Sequence, residues 1–137
     1  MIPWAVGRYN YNTYDSIAAG SRWYSPDLLG VISHSNLAIY NQIPRLKGDF
    51  IWKQVAGAKA ASATALYLAM FDEIDEGTTY FKCAVEGKLP VFGAERPERR
   101  FIGIEEGLNS DYYLWLADEA DKWIKGASGY NATKPGR

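Results

Sequence analysis

Residues 64–71, TALYLAMF, carry no charge, and they are followed at once by DEIDE, four carboxylates in five positions. That junction constrains the fold more than any other feature of the chain. A near-continuous apolar run bounded by polar residues reads as a strand buried on both faces, and strands of that kind belong to parallel sheets covered by helices. Negative charge then begins where the strand ends.

The flanking segments fit an alternating pattern. IPWAV at 2–6, stopped by Gly7, and DLLGVIS at 27–33 read as buried strands, with a weak helix, TYDSIAAGSRW, at 13–23 between them. A long polar and aromatic loop, HSNLAIYNQIPRLKG, follows the second strand. From 49 to 61, Ile51, Trp52, Val55, Ala58 and Ala61 recur at three- and four-residue steps, the mark of an amphipathic helix. After Lys82 the chain turns irregular until RFIGI at 100–104, a further short strand. A last helix is expected from Ser110 as N-cap and Asp111 in its first turn, burying Leu116, Ala120, Trp123 and Ile124 and stopping at Gly126. Residues 1–126 are thus expected to form the folded unit and 127–137 a flexible tail.

Strand, helix, strand, helix, strand, strand, helix predicts right-handed crossovers and an α/β fold with a parallel sheet. In such sheets the functional groups gather at the carboxyl ends of the strands. Three polar clusters fall there: Gly7-Arg8-Tyr9-Asn10, Ser33-His34-Ser35-Asn36, and Asp72 to Thr78. They are expected to share one rim.

Several function classes are excluded by charge and composition. The chain has 137 residues, suited to one domain, and a net charge of −1. RPERR at 96–100 contains its own Glu98, so no basic footprint for nucleic acid is present. No apolar run approaches the roughly twenty residues of a membrane span, and residues 1–10 lack the pattern of an export signal. Cys83 is the one cysteine, which leaves it no disulfide partner and no second thiol for a metal; it reads as a small hydrophobe. Asn131-Ala132-Thr133 has the form of a glycosylation sequon. Five Trp and ten Tyr exceed the needs of a small core and permit a surface for stacking on sugar rings or bases.

Each rim residue carries a bland reading beside a functional one. The acidic stretch is the acid end of a catalytic site, a solvated turn, or a weak calcium loop, although the spacing of an EF-hand is absent. Arg8 and Tyr9 hydrogen-bond sugar hydroxyls, or Arg8 pairs with an acid on the rim. His34, the one histidine, is a satisfied structural residue or a catalyst, and the sequence defines no nucleophile partner for it. Asn36, Asn41 and Gln42 carry amides suited to vicinal hydroxyls.

Together, FDEIDEGT after an apolar strand, NQIPRLKGDFIWKQVAGAKAASA before it, and PWAVGRY near the start resemble the C-terminal half of bacterial proteins related to glycoside hydrolase families 71 and 99. The resemblance spans roughly residues 2–125, and NQIPR and MFDEIDEGT are its most specific parts. It implies a parallel-stranded half of a (β/α)8 TIM-type barrel acting on α-linked glycans, with no cofactor and no metal. It places the catalytic acids on Glu73 and Glu76. The first would deprotonate the sugar 2-hydroxyl to give a 1,2-anhydro intermediate, and the second would act as acid and then base. Arg8, Tyr9, His34, Asn36, Asp72 and Asp75 would bind or tune around them.

Electrostatics is compatible with that pairing. Carboxylates three residues apart on a turn can share one face. At about 5 Å and an effective dielectric near 20 they repel by roughly 3 kcal/mol, about two pKa units, enough to keep one protonated near neutrality. That is the division of labour glycoside hydrolysis requires. Two positions depart from the pattern: His34 stands where relatives carry an aromatic residue, and Ile74 where family 99 has an aromatic between its acids. A barrel needs about 250 residues, so a half barrel is expected to associate with another copy or with a preceding N-terminal half. The alternatives are a glycan-binding remnant without turnover and a truncated structural module. Localisation stays open, with a secreted or periplasmic parent compatible with the resemblance.

Overall fold

A computed structural model describes residues 11–12, 44–68, 71–72, 79–89 and 102–137. Two helices organise them: α1, Asp49–Ala60, and α2, Tyr112–Ile124. Both fall where the three- and four-residue spacing of apolar residues places them.

α1 buries Phe50, Ile51, Trp52, Gln54, Val55 and Ala58, with Asp49 in its first turn and Lys59 in its last, each complementing the helix dipole. α2 buries Tyr112, Tyr113, Leu116, Ala120, Trp123 and Ile124. The expected N-cap shifts by one residue to Asp111, whose side chain makes no capping bond and is held instead by Arg137 at 2.5 and 2.9 Å. Gly126 ends the helix as expected. At φ +98° it lets its N–H reach the Trp123 carbonyl while the Ala127 N–H reaches the Lys122 carbonyl, both at 3.0 Å, the paired bonds of a Schellman motif.

The helices run side by side in the same sense. At their starts, a Cβ on Gly48 would lie 2.6 Å from Leu116 Cδ2, so only glycine permits this approach. At their ends, Lys59 Nζ donates to the Trp123 and Ile124 carbonyls at 2.9 and 3.2 Å. Between them, Trp52 stacks on Trp123 with ring centres 5.1 Å apart. Tyr80 and Ile104, from the connecting chain, complete the core.

Entry into α1 is strained. Leu46 and Lys47 have φ of +54° and +50°, and Gly48 follows at +89°. Left-handed backbone costs a non-glycine residue roughly 1–2 kcal/mol, so neighbouring contacts must hold the turn. Lys47 supplies three of them: its N–H donates to Glu105 Oε1 at 3.0 Å, its Nζ to the Glu106 carbonyl at 2.8 Å, and its carbonyl accepts from the Tyr112 hydroxyl at 3.1 Å.

The half-barrel expectation is overturned. Among the described residues there is no β-strand; they hold one isolated parallel bridge, Val85 to Ile104, with Ile104 N–H donating to the Ala84 carbonyl at 2.9 Å. Residues 64–68 run without a ladder, and Tyr67 is 52% exposed. The physical reason is that an apolar run becomes a strand only when a neighbouring strand takes its N–H and C=O groups. Here the buried area is shared instead between two helices packed through aromatic side chains. Of the expected strand at 100–104, residues 102–104 are described and carry only the bridge at Ile104, while the expected strands at 2–6 and 27–33 and the helix at 13–23 lie outside the described residues.

Residues 127–137, expected as a flexible tail, lie along both helices. Tyr130 stacks on Trp123 at 6.4 Å and its hydroxyl donates to Glu119 at 2.7 Å. The Asn131 carbonyl accepts from Trp52 Nε1 at 3.0 Å, and Lys134 Nζ donates to the Tyr112 hydroxyl at 2.9 Å.

Candidate functional site

Of the residues that sequence reasoning placed on the rim, Asp72 is described: it follows Phe71 at a bend and is exposed. Arg8, Tyr9, His34, Asn36, Glu73, Asp75 and Glu76 lie outside the described residues, as do Asn41 and Gln42. What the structure defines is the frame from which the acidic stretch springs.

That frame is a clamp. The buried Thr79 hydroxyl donates to the Phe71 carbonyl at 2.7 Å and accepts from the Phe81 N–H at 3.0 Å. The same Phe81 N–H reaches the Phe71 carbonyl at 2.9 Å. The two ends of the acid-bearing segment are therefore fastened to each other. Tyr80, 3% exposed, is anchored in the core, while Phe71 and Phe81 are 56% and 44% exposed. Their rings meet edge to face, with centres 5.4 Å apart and planes at 68°.

Behind the clamp lies a polar network for which the sequence shows no periodic signal. Arg45 is 4% exposed; its Nη2 donates to the Gly103 carbonyl and lies 3.7 Å from Glu105 Oε2. Its guanidinium stands 5.1 Å from the centre of the Tyr113 ring. The Tyr113 hydroxyl approaches Glu105 Oε1 and Oε2 at 2.7 and 2.9 Å. Burial, reinforced by the Glu105 charge, pushes that hydroxyl well above the usual tyrosine range, so it remains a donor. Cys83 links the network to the clamp: its thiol donates to the Phe81 carbonyl at 3.3 Å, its N–H to the Ser110 carbonyl at 2.9 Å, and burial raises its pKa. A half-buried thiol held in the protonated form is a poor nucleophile. Arg45 belongs to the NQIPR motif, the one sequence signal that points here; Glu105 and Tyr113 had none.

A depression of about 150 Å³ borders the extended segment before the acids, lined by Thr64, Leu66, Leu68, Asp121, Ile124 and Lys125 among others. It is smaller than the roughly 300–1,000 Å³ typical of ligand pockets, so it is not a substrate cavity. Among the described residues, no group of three or more His, Cys, Asp or Glu could hold a metal ion, and no helix is long and apolar enough to cross a membrane.

Comparison with protein-family models, with curated proteins and with solved structures finds no match.

Proposed function

We propose that the chain carries the acid end of a glycoside-hydrolase-like site for α-linked glycans, with Glu73 and Glu76 as its working pair. The observation that supports this reading is the clamp: the segment holding all four carboxylates has its ends fastened at Phe71, Thr79 and Phe81, and exposed aromatic rings stand at its base. Carboxylates with adjacent aromatic faces suit a ligand that is hydroxylated at its edges and apolar on its ring faces.

In this reading Glu73 removes the proton of the sugar 2-hydroxyl, and O2 attacks C1. The leaving glycosidic oxygen takes a proton from Glu76. Glu76 then deprotonates the water that opens the anhydro ring at C1, and O2 recovers its proton from Glu73. Loss of one such acid–base role costs roughly 10²- to 10⁴-fold in rate.

The test is hydrolysis of α-mannans and α-glucans by the full chain and by Glu73→Gln and Glu76→Gln, with calorimetry for binding. The expected result is turnover by the unmodified chain, its loss in both variants, and binding retained in all three. Full activity in Glu76→Gln overturns the mechanism. Binding without turnover in the unmodified chain supports a glycan-binding module, which the exposed aromatic pair favours; absence of both overturns the proposal.

A further inference from the structure

Residues 127–137 run back along α2 from a hinge at one end to a latch at the other. The hinge is Gly126 and Gly129, both with left-handed φ, at +98° and +89°, and both with open space where a side chain would stand. The latch is ionic: Arg137 pairs with Asp111 just ahead of α2, and Lys134 Nζ, besides its bond to the Tyr112 hydroxyl, lies 3.7 Å from Asp49 at the start of α1. Between hinge and latch the segment covers the Trp52–Trp123 stack. Tyr130 stands 6.2 and 6.4 Å from the two ring centres, and the Asn131 carbonyl holds the Trp52 indole N–H.

We propose that residues 127–137 are a hinged strap, latched by charge, which lifts from α1 and α2 while the helix pair stays folded and so sets the access of solvent to the Trp52–Trp123 stack. The way the segment is fastened supports this. Beyond the Ala127 N–H, no backbone-to-backbone hydrogen bond ties it to the rest of the described residues, so every further tie runs through a side chain. Tyr130 is the hydrophobic side chain that it packs against the core. Segments with few buried apolar contacts open locally at a small fraction of the cost of global unfolding. The helix pair has ties of its own: Lys59 Nζ to the Trp123 and Ile124 carbonyls, and a core in which Ile51, Val55, Leu116 and Ala120 join Tyr80 and Ile104. The Arg137 and Asp111 side chains are 31% and 37% exposed, so their pairing is screened by salt, whereas the Tyr130 stack is not. Ionic strength therefore releases the latch before the middle of the strap.

The experiment follows hydrogen exchange by NMR in the full chain, comparing protection of the Trp52 indole N–H with that of the Val55 and Leu116 amides inside the two helices, at several low urea concentrations. The expected result is indole protection at least about tenfold lower than that of the helix amides and nearly independent of urea, since lifting a strap exposes little surface. Arg137→Gln should speed indole exchange about two- to fivefold, the range of an exposed ion pair, and added salt should speed the unmodified chain more than this variant. Tyr130→Ala, which removes the stack and the bond to Glu119, should speed it about tenfold or more and leave the Val55 and Leu116 amides far less affected. Indole and helix amides that share one protection and one steep urea dependence overturn the strap, because the segment would then leave only on global unfolding. Indole exchange unchanged in Arg137→Gln overturns the latch. Equal acceleration of the indole and of both helix amides in Tyr130→Ala overturns independent opening.

Discussion

The Tyr113 hydroxyl lies 2.7 and 2.9 Å from the two carboxylate oxygens of Glu105, so one proton is shared between them. Glu105 also accepts from the Lys47 N–H and sits 3.7 Å from Arg45, which makes it the point where the entry to α1, the chain at 103–105 and α2 meet. Removing Arg45 as Arg45→Met strips the buried cation while leaving its partners in place. The expected cost is about 2–4 kcal/mol in urea unfolding, discounted from a fully buried pair because Glu105 is partly exposed. Tyr113→Phe should cost about 1–2 kcal/mol, and the double variant less than the sum, since both act on one carboxylate. Strict additivity would show that the network is not coupled.

Gly48 and Gly126 separate two reasons for glycine. Both have left-handed φ, at +89° and +98°, but a Cβ meets Leu116 at 2.6 Å in the first case and nothing within 4 Å in the second. Gly126→Ala should cost about 1 kcal/mol for backbone strain alone. Gly48→Ala should cost about 2–4 kcal/mol, because overpacking between the helices is added. Equal costs from thermal unfolding would mean that the close approach of α1 and α2 relaxes freely.

Thr79 is the side chain that fastens the acid-bearing segment. Thr79→Val keeps the shape and removes the hydroxyl, leaving the Phe71 carbonyl with one donor fewer. We expect about 1–2 kcal/mol of local destabilisation, hence roughly 5- to 30-fold faster cleavage by a glutamate-specific protease at Glu73 and Glu76, with Thr79→Ser restoring resistance. Unchanged cleavage would show that the clamp does not restrain the segment.

How much of this was legible depends on the kind of contact. α1 and α2 were legible because each repeats its apolar residues on one face, as Val55 and Ala58 or Leu116 and Ala120 do, and the end of α2 because Gly126 is suited to left-handed backbone. TALYLAMF was misread because a short apolar run states that burial is available, not which partner takes its backbone groups; Tyr67 and Phe71 are in fact more than half exposed. Of the candidate site, Asp72 could be read as an exposed acid from its neighbours alone. The Arg45, Glu105 and Tyr113 network could not, since Glu105 and Tyr113 lie 60 and 68 residues from Arg45 and no local rule spans that separation.

One surface pair should contribute to acid sensitivity. Hydrogen bonding from Arg137 holds the Asp111 carboxyl below the ordinary aspartate value of 3.8. A carboxylate with a depressed folded-state pKa contributes stability that is complete above its unfolded value and is lost as pH falls through the folded one. Asp111→Asn should therefore lower stability above about pH 5 and converge on the unmodified chain as the solution becomes more acidic, with the gap narrowing in high salt. Urea midpoints measured across that range test this. A gap that widens on acidification would reverse the sign and exclude the pair.

The bond from Trp52 Nε1 to the Asn131 carbonyl joins positions 79 residues apart. It has a consequence for the nascent chain. At roughly 5–20 residues per second, α1 emerges from the ribosome several seconds before its indole partner is synthesised. Throughout that interval Trp52 lacks both Asn131 and the stacking face of Trp123, and an exposed aromatic stripe of this kind is what chaperones bind. Assembly of the two helices is thereby tied to the arrival of residues 123–131, so that α1 waits for chain made well after it.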